Sequence, residues 1–120
     1  MKGRRSADTP VGRLRRRGIR VSAGPWTACG DTARDGGGRL IVALGRTAGS
    51  ATTRSRVRRI AREVFAERFG LAAGVDMLLL ARSDLANHPR RQVRARLREL
   101  MTRLSSALAS RQTTNQKGDA

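Results

Sequence analysis

The chain has 120 residues and a mass of 13.1 kDa, room for one compact domain. Lys and Arg number 26 against nine Asp and Glu, giving a formal charge of +17, and no wholly apolar run exceeds the length of Met77 to Ala81. For these residues a multi-domain enzyme, a helix spanning a membrane (roughly 20 apolar residues) and, with Cys29 as the single cysteine, a disulfide scaffold are excluded.

Met1 to Thr9 is polar and basic, and residues 1–9 are expected to be disordered. Arg4 and Arg5 superficially suggest a twin-arginine signal, but no apolar segment follows, so the chain is expected to stay in the cytoplasm. Pro10 to Arg17 reads as a short helix with Val11 and Leu14 on one side. Ile19 to Val21 and Pro25 to Cys29 read as strands, the second opened by proline at a tolerated position. Gly30 to Gly38 reads as a loop, and the near-continuous apolar run Arg39 to Gly45 as an inner strand.

The strongest helix signal follows. Val57, Ile60, Ala61, Val64 and Phe65 recur at i, i+3, i+4, i+7 and i+8. Ser50, Thr52 or Thr53 supplies the cap and Gly70 the stop. Val75 to Ala81 reads as another buried strand. Pro89 then opens a long helix whose apolar stripe is Val93, Leu97, Leu100, Met101, Leu104 and Leu108. Residues 110–120 are polar and are expected to form a disordered tail, leaving 10–109 as one domain. The predicted fold class is α+β in the order α-β-β-β-α-β-α, a two-layer sandwich with a mixed four-stranded sheet. Arg39 to Ala81 has the length of a βαβ crossover.

So much positive charge on a small surface repels itself, and a polyanion relieves that repulsion. Of the basic residues only Lys2 and Lys117 are lysine, and arginine's planar fork suits bidentate phosphate contact. Genomic base composition is the competing explanation for the Arg-to-Lys ratio, but not for the net charge. Arg54, Arg58 and Arg62 fall in one row on the strong helix, flanked by Arg56 and Arg59. Like charges at i, i+4 cost a few tenths of a kcal/mol per pair, and arginines at a helix start oppose its dipole. Two local rules broken in one place point to phosphate binding rather than to a solvated face. Arg90, Arg94 and Arg98 form a second row, read as auxiliary positive surface because acids such as Glu99 lie near it.

Chemistry by the chain itself has little support. Cys29 reads as a buried structural thiol, and no His/Cys cluster has zinc spacing. His88 precedes Pro89 and reads as a helix-start residue rather than a general base. The acids do not converge in the way two-metal chemistry requires. No small-molecule substrate is expected.

The block GRTAGSATTRSRVRRIAREVF, Gly45 to Phe65, resembles the signature of the protein component of bacterial ribonuclease P. Arg46, Gly49, Ala51, Arg54, Arg56, Arg58, Arg59, Arg62 and Glu63 fall in register with it. RRRGIRVSAGPW (Arg15 to Trp26) and VDMLLLAR (Val75 to Arg82) resemble the family's flanking segments, so the similarity covers Leu14 to Leu108. The resemblance implies a left-handed βαβ crossover, against the usual hand. It also implies a basic subunit of a ribonucleoprotein endoribonuclease that trims the 5′ leader of precursor tRNA, with the Mg²⁺-dependent centre in the catalytic RNA. Arg46, Arg54, Ser55, Arg56, Arg58, Arg59 and Arg62 would bind that RNA. A cleft on the sheet would take the leader, with Val11, Leu14 and Cys29 as the nearest counterparts of the family's cleft residues. Trp26 would be available for stacking if it faces the cleft, a direction the sequence leaves open. Ser55 stands where the family usually has Asn, and the paired cleft aromatics are missing. Two other readings draw on the same charge. One is a nucleoid- or ribosome-associated binding module, which gives no reason for the Gly49–Ala51 turn. The other is a membrane-surface anchor, which would leave the sheet uncovered.

Overall fold

A computed structural model of the chain describes residues 9–33, 38–69 and 74–119, with side chains as far as Arg111. In chain order the elements are α1 (Pro10–Arg17), β1 (Ile19–Ala23), β2 (Trp26–Thr32), β3 (Arg39–Ala43), a 3₁₀ turn (Arg46–Ala48), α2 (Ala51–Phe69), β4 (Val75–Ala81) and α3 (Arg90–Asp119). The strands form one sheet in the order β1-β2-β4-β3. The β1–β2 and β2–β4 pairs are antiparallel, and β3 runs parallel to β4. The order of elements and the mixed four-stranded sheet are those predicted from the sequence.

Alternation along the strands sorts side chains to the two faces of this sheet. Trp26, Ala28, Met77 and Leu79 point to one face and meet Val57, Ile60, Ala61, Val64 and Phe65 of α2. Leu97, Leu100, Met101 and Leu104 of α3 join the same core. Burying each of these large side chains contributes roughly 1.5–3 kcal/mol, which fixes α2 against the sheet and turns its polar side outward. Cys29 and Leu78 point to the other face, where Leu14 of α1 covers them. Asp76 shares that face and is only 2% exposed. Its Oδ2 accepts from Arg13 Nη2 at 2.9 Å, and its Oδ1 accepts from the Arg39 N–H at 3.1 Å. One buried carboxylate therefore ties α1 to the start of β3.

Several boundaries differ from the sequence reading, most of them by one or two residues. Gly30 to Thr32 belong to β2 rather than to the loop, paired with Met77, Asp76 and Val75. Gly30 is there for clearance, since a Cβ on it would lie 2.6 Å from Leu104 Cδ2 of α3. Of the predicted Gly30–Gly38 loop, residues 34–37 lie outside the described residues, as does the Gly70 predicted to stop α2. Of the predicted disordered N-terminus, 1–8 lie outside the described residues, while Thr9 caps α1, its Oγ1 accepting from the Gly12 N–H at 3.0 Å. At the other end α3 runs to Asp119, past the Ser110 at which a disordered tail was predicted. Extending a formed helix costs far less than nucleating one. Arg111 also anchors this stretch, donating to the Arg17 carbonyl at 3.2 Å and lying 3.6 Å from Asp31.

Candidate nucleic-acid interface

The approach to α2 is built by a turn that only glycine can make. Gly49 has φ 131° and ψ −169°, a region essentially closed to residues with a Cβ. A Cβ there would also lie 3.0 Å from Thr53 Cγ2 and 3.2 Å from Asp84 Oδ1. Ala48 is buried, and its carbonyl accepts from the Leu85 N–H at 2.9 Å, pinning the turn to the segment after β4. Ser50 then caps the helix: its Oγ accepts from the Thr53 N–H at 3.2 Å, and its carbonyl accepts from the Arg54 N–H at 2.9 Å. Arg46 stands exposed on the 3₁₀ turn just ahead.

Because Val57, Ile60, Ala61 and Val64 are seated on the sheet, the face of α2 opposite them is fixed as well. It carries Ser55, Arg58, Arg59 and Arg62, spaced i, i+3, i+4 and i+7, which with Glu63 line a groove of about 430 Å³. A second groove of about 450 Å³ runs from the helix start, lined by Ala51, Thr52, Ser55, Arg56, Arg59 and Arg90. No acid occupies the first turn of α2. Among the described residues no carboxylate lies within ion-pair distance of Arg54, Arg58, Arg59 or Arg62, while Arg58, Arg59 and Arg62 sit at helix-neighbour spacing. Such an array stores mutual repulsion that an anion would relieve.

The predicted row is thus recentred. Ser55, Arg59 and Arg62 lie mid-face, and Arg54 and Arg56 are half-buried flanks whose Nε atoms are shielded from solvent. Arg56 turns toward α3, where its Nη2 donates to the His88 carbonyl at 3.2 Å and reaches the Leu85 carbonyl at 3.5 Å. It braces the segment before α3 while still lining the second groove. The Arg90, Arg94 and Arg98 row differs more from its sequence reading. Arg94 Nη2 meets Glu63 Oε1 at 2.6 Å, and Arg98 grips both oxygens of Glu67 at 2.8 and 2.9 Å. Arg94 and Arg98 form a seam with α2 rather than auxiliary positive surface, whereas Arg90 lines a groove with the α2 arginines. The hydrogen bonds from Arg98 hold the Glu67 carboxyl below its ordinary pKa.

Of the predicted cleft residues, Trp26 requires a correction. It is 1% exposed and faces α2 and α3, on the opposite side of the sheet from Cys29. In a chain with so few aromatics its volume is used to fill the main core. Leu14 and Cys29 do share the α1 side, but α1 seals them at 0% and 1% exposure, so a ligand reaches neither. Val11 is partly buried against the same cluster. The hollow open on that side holds about 260 Å³ and is lined by Arg15, Arg20, Thr27, Leu80, Ala81 and Arg82. The sequence reading assigned Arg15, Arg20 and Arg82 no role. A signal was present, however: the exposed Arg20 alternates with the partly buried, apolar Ile19 and Val21 on β1.

Among the described residues no three His, Cys, Asp or Glu side chains group as metal ligands, and no helix is long and apolar enough to cross a membrane.

Comparison with known proteins places this geometry. No curated protein matches the chain in sequence. Among solved structures, the RNase P protein of Staphylococcus aureus superposes with a TM-score of 0.69 at 19% identity, over 79% of this chain and 88% of that one. The RNase P protein of Thermotoga maritima gives 0.66 at 20% identity, over 81% and 93%. At these identities the likeness establishes the fold. In sequence, the family model for ribonuclease P matches residues 12–105, from the third residue of α1 through the whole sheet, the glycine turn and α2 to about the middle of α3. The chain therefore belongs to the ribonuclease P family.

Proposed function

We propose that this subunit docks the catalytic RNA of ribonuclease P on the outward face of α2 and guides the 5′ leader of precursor tRNA into cleavage. The observation that carries the proposal is the face of Ser55, Arg58, Arg59 and Arg62, cationic, rigidly backed and without a carboxylate partner among the described residues. Phosphates lying along it would relieve the repulsion among the arginines and the mismatch with the helix dipole together. Arg46 extends the positive surface ahead of the helix, and Arg54 and Arg56 extend it at the flanks. Ser55 offers one hydroxyl where the family's amide would both donate and accept.

The leader, a single strand, fits the hollow of Arg15, Arg20 and Arg82 on the α1 side of the sheet. No aromatic ring lines it, so the leader is held there by its phosphates and not by base stacking, which elsewhere contributes roughly 1–3 kcal/mol per base. Hydrolysis belongs to the RNA. Among the described residues no acids group to fit a catalytic Mg²⁺, and Asp76, Glu63 and Glu67 are each engaged by arginine. The subunit's work is therefore to bind, to orient and to neutralise phosphate charge.

Reconstitution tests this reading. Adding the protein to its cognate ribonuclease P RNA restores cleavage of precursor tRNA at a low Mg²⁺ concentration where the RNA alone is inactive. Absence of stimulation at every Mg²⁺ concentration rejects it. Tighter binding to duplex DNA than to the structured RNA at fixed salt favours the nucleoid-type module instead.

A further inference from the structure

We infer that Arg94 of α3 is a positioning residue for the RNA interface: it holds the Glu63 carboxylate off the arginine face of α2. The inference rests on the RNA-docking reading above and concerns how that face is kept free. Glu63 lines the same groove as Arg58, Arg59 and Arg62, and it stands one helical turn beyond Arg59. Oppositely charged side chains at that spacing ordinarily pair. Here they do not. Arg94 reaches across from the neighbouring helix, and its Nη2 lies 2.6 Å from Glu63 Oε1.

The pair is half in solvent, with Arg94 36% and Glu63 50% exposed, so it does little for stability. Its consequence is local. A released Glu63 has one cation beside it on the helix surface, Arg59 one turn back, and a phosphate would have to displace the carboxylate from it. One turn further on, Arg98 treats Glu67 in the same way with both of its hydrogen bonds. Both acids of α2 are thus drawn to the seam with α3, which leaves Arg58, Arg59 and Arg62 without a carboxylate partner among the described residues.

The experiment measures binding of the full chain to its cognate ribonuclease P RNA across a salt series. Arg94→Ala is expected to bind about two- to five-fold more weakly, the range for release of one exposed pair. Its slope of log affinity against log salt falls by about 0.7, one phosphate contact. Arg94→Lys, which retains a cation for Glu63, is expected to bind as wild type, and so is the double variant E63Q/R94A. Arg59→Ala costs less affinity in the R94A background than in wild type, because Glu63 already occupies Arg59. Rescue by E63Q/R94A separates this role from loss of fold, since that variant lacks the interhelical pair as well. The inference is overturned if R94A binds as tightly as wild type. It is equally overturned if E63Q/R94A stays as weak as R94A, which would mean that Arg94 itself touches the RNA. Failure of the wild-type chain to bind this RNA would instead remove the underlying docking reading.

Discussion

Truncating Arg58, Arg59 and Arg62 together to alanine separates binding from stability, because the two should move in opposite directions. Arg59 and Arg62 are exposed and Arg58 is half-buried, and none has an ion-pair partner among the described residues. Their removal takes no apolar area from the core formed by Val57, Ile60 and Val64. It does relieve like-charge contacts of a few tenths of a kcal/mol each, and alanine is the better helix former. The triple variant should therefore unfold at the wild-type urea midpoint or slightly above it. Binding to the catalytic RNA should collapse. Three phosphate contacts correspond to a loss of about 2 in the slope of log affinity against log salt, at ~0.7 per contact. Filter binding across a salt series gives the slope, and urea unfolding of the same preparations gives the stability. An unchanged slope would refute the reasoning, as would a loss of affinity that merely tracks a loss of fold.

Asp76→Asn tests the clamp on α1: it breaks the charge pair of a buried carboxylate with Arg13 and weakens the bond to the Arg39 N–H. With Arg13 23% exposed, the cost is expected at about 2–3 kcal/mol, at or just below the roughly 3–5 kcal/mol typical of fully buried pairs. That lowers the thermal midpoint by roughly 4–8 °C per kcal/mol, and a change under about 0.5 kcal/mol would show that the clamp is unimportant. Trp26 is the only tryptophan and lies in the helix-side core, so its fluorescence should be blue-shifted and unmoved by a leader oligonucleotide; quenching on addition would return it to the leader site. The Glu67 carboxyl titrates below its ordinary value, so the stability from its pair with Arg98 is complete above the usual carboxylate pKa of about 4.3. That contribution fades as pH falls through the lowered value, and thermal midpoints of Arg98→Ala should lack this acid limb.

Much of the architecture is legible in local patterns. The spacing of Val57, Ile60, Ala61, Val64 and Phe65 fixes both the existence of α2 and its buried side, so the outward arginines follow from periodicity alone. Strand and helix order follow equally from apolar runs and punctuation. Contacts between residues distant in sequence are what local patterns leave open. The pairing of Glu63 with Arg94 and of Glu67 with Arg98 depends on how α2 lies beside α3, and it converts a supposed second basic surface into a neutral seam. Trp26 was ambiguous because β2 offers two faces, and only the register with β4 and the position of α3 decide between them. Gly30 reads as a loop glycine, yet it serves a close approach by Leu104. Asp76 looks like an ordinary strand-end acid until Arg13 is brought to it from the first helix. In each case a tertiary neighbour overrides a sound local inference.

The account stands on RNA lying against the outward side of α2, and a tethered cleavage probe reads that directly. Cys29, the single native cysteine, is buried, so an iron chelate can be attached selectively to an introduced Ser55→Cys or, as a control on α3, to Thr102→Cys. In the complex with the catalytic RNA and precursor tRNA, the probe at position 55 should cut the catalytic RNA strongly at a few clustered sites, and the probe at position 102 should cut it weakly or not at all. Equal cutting from both positions, or none from position 55, would contradict the account.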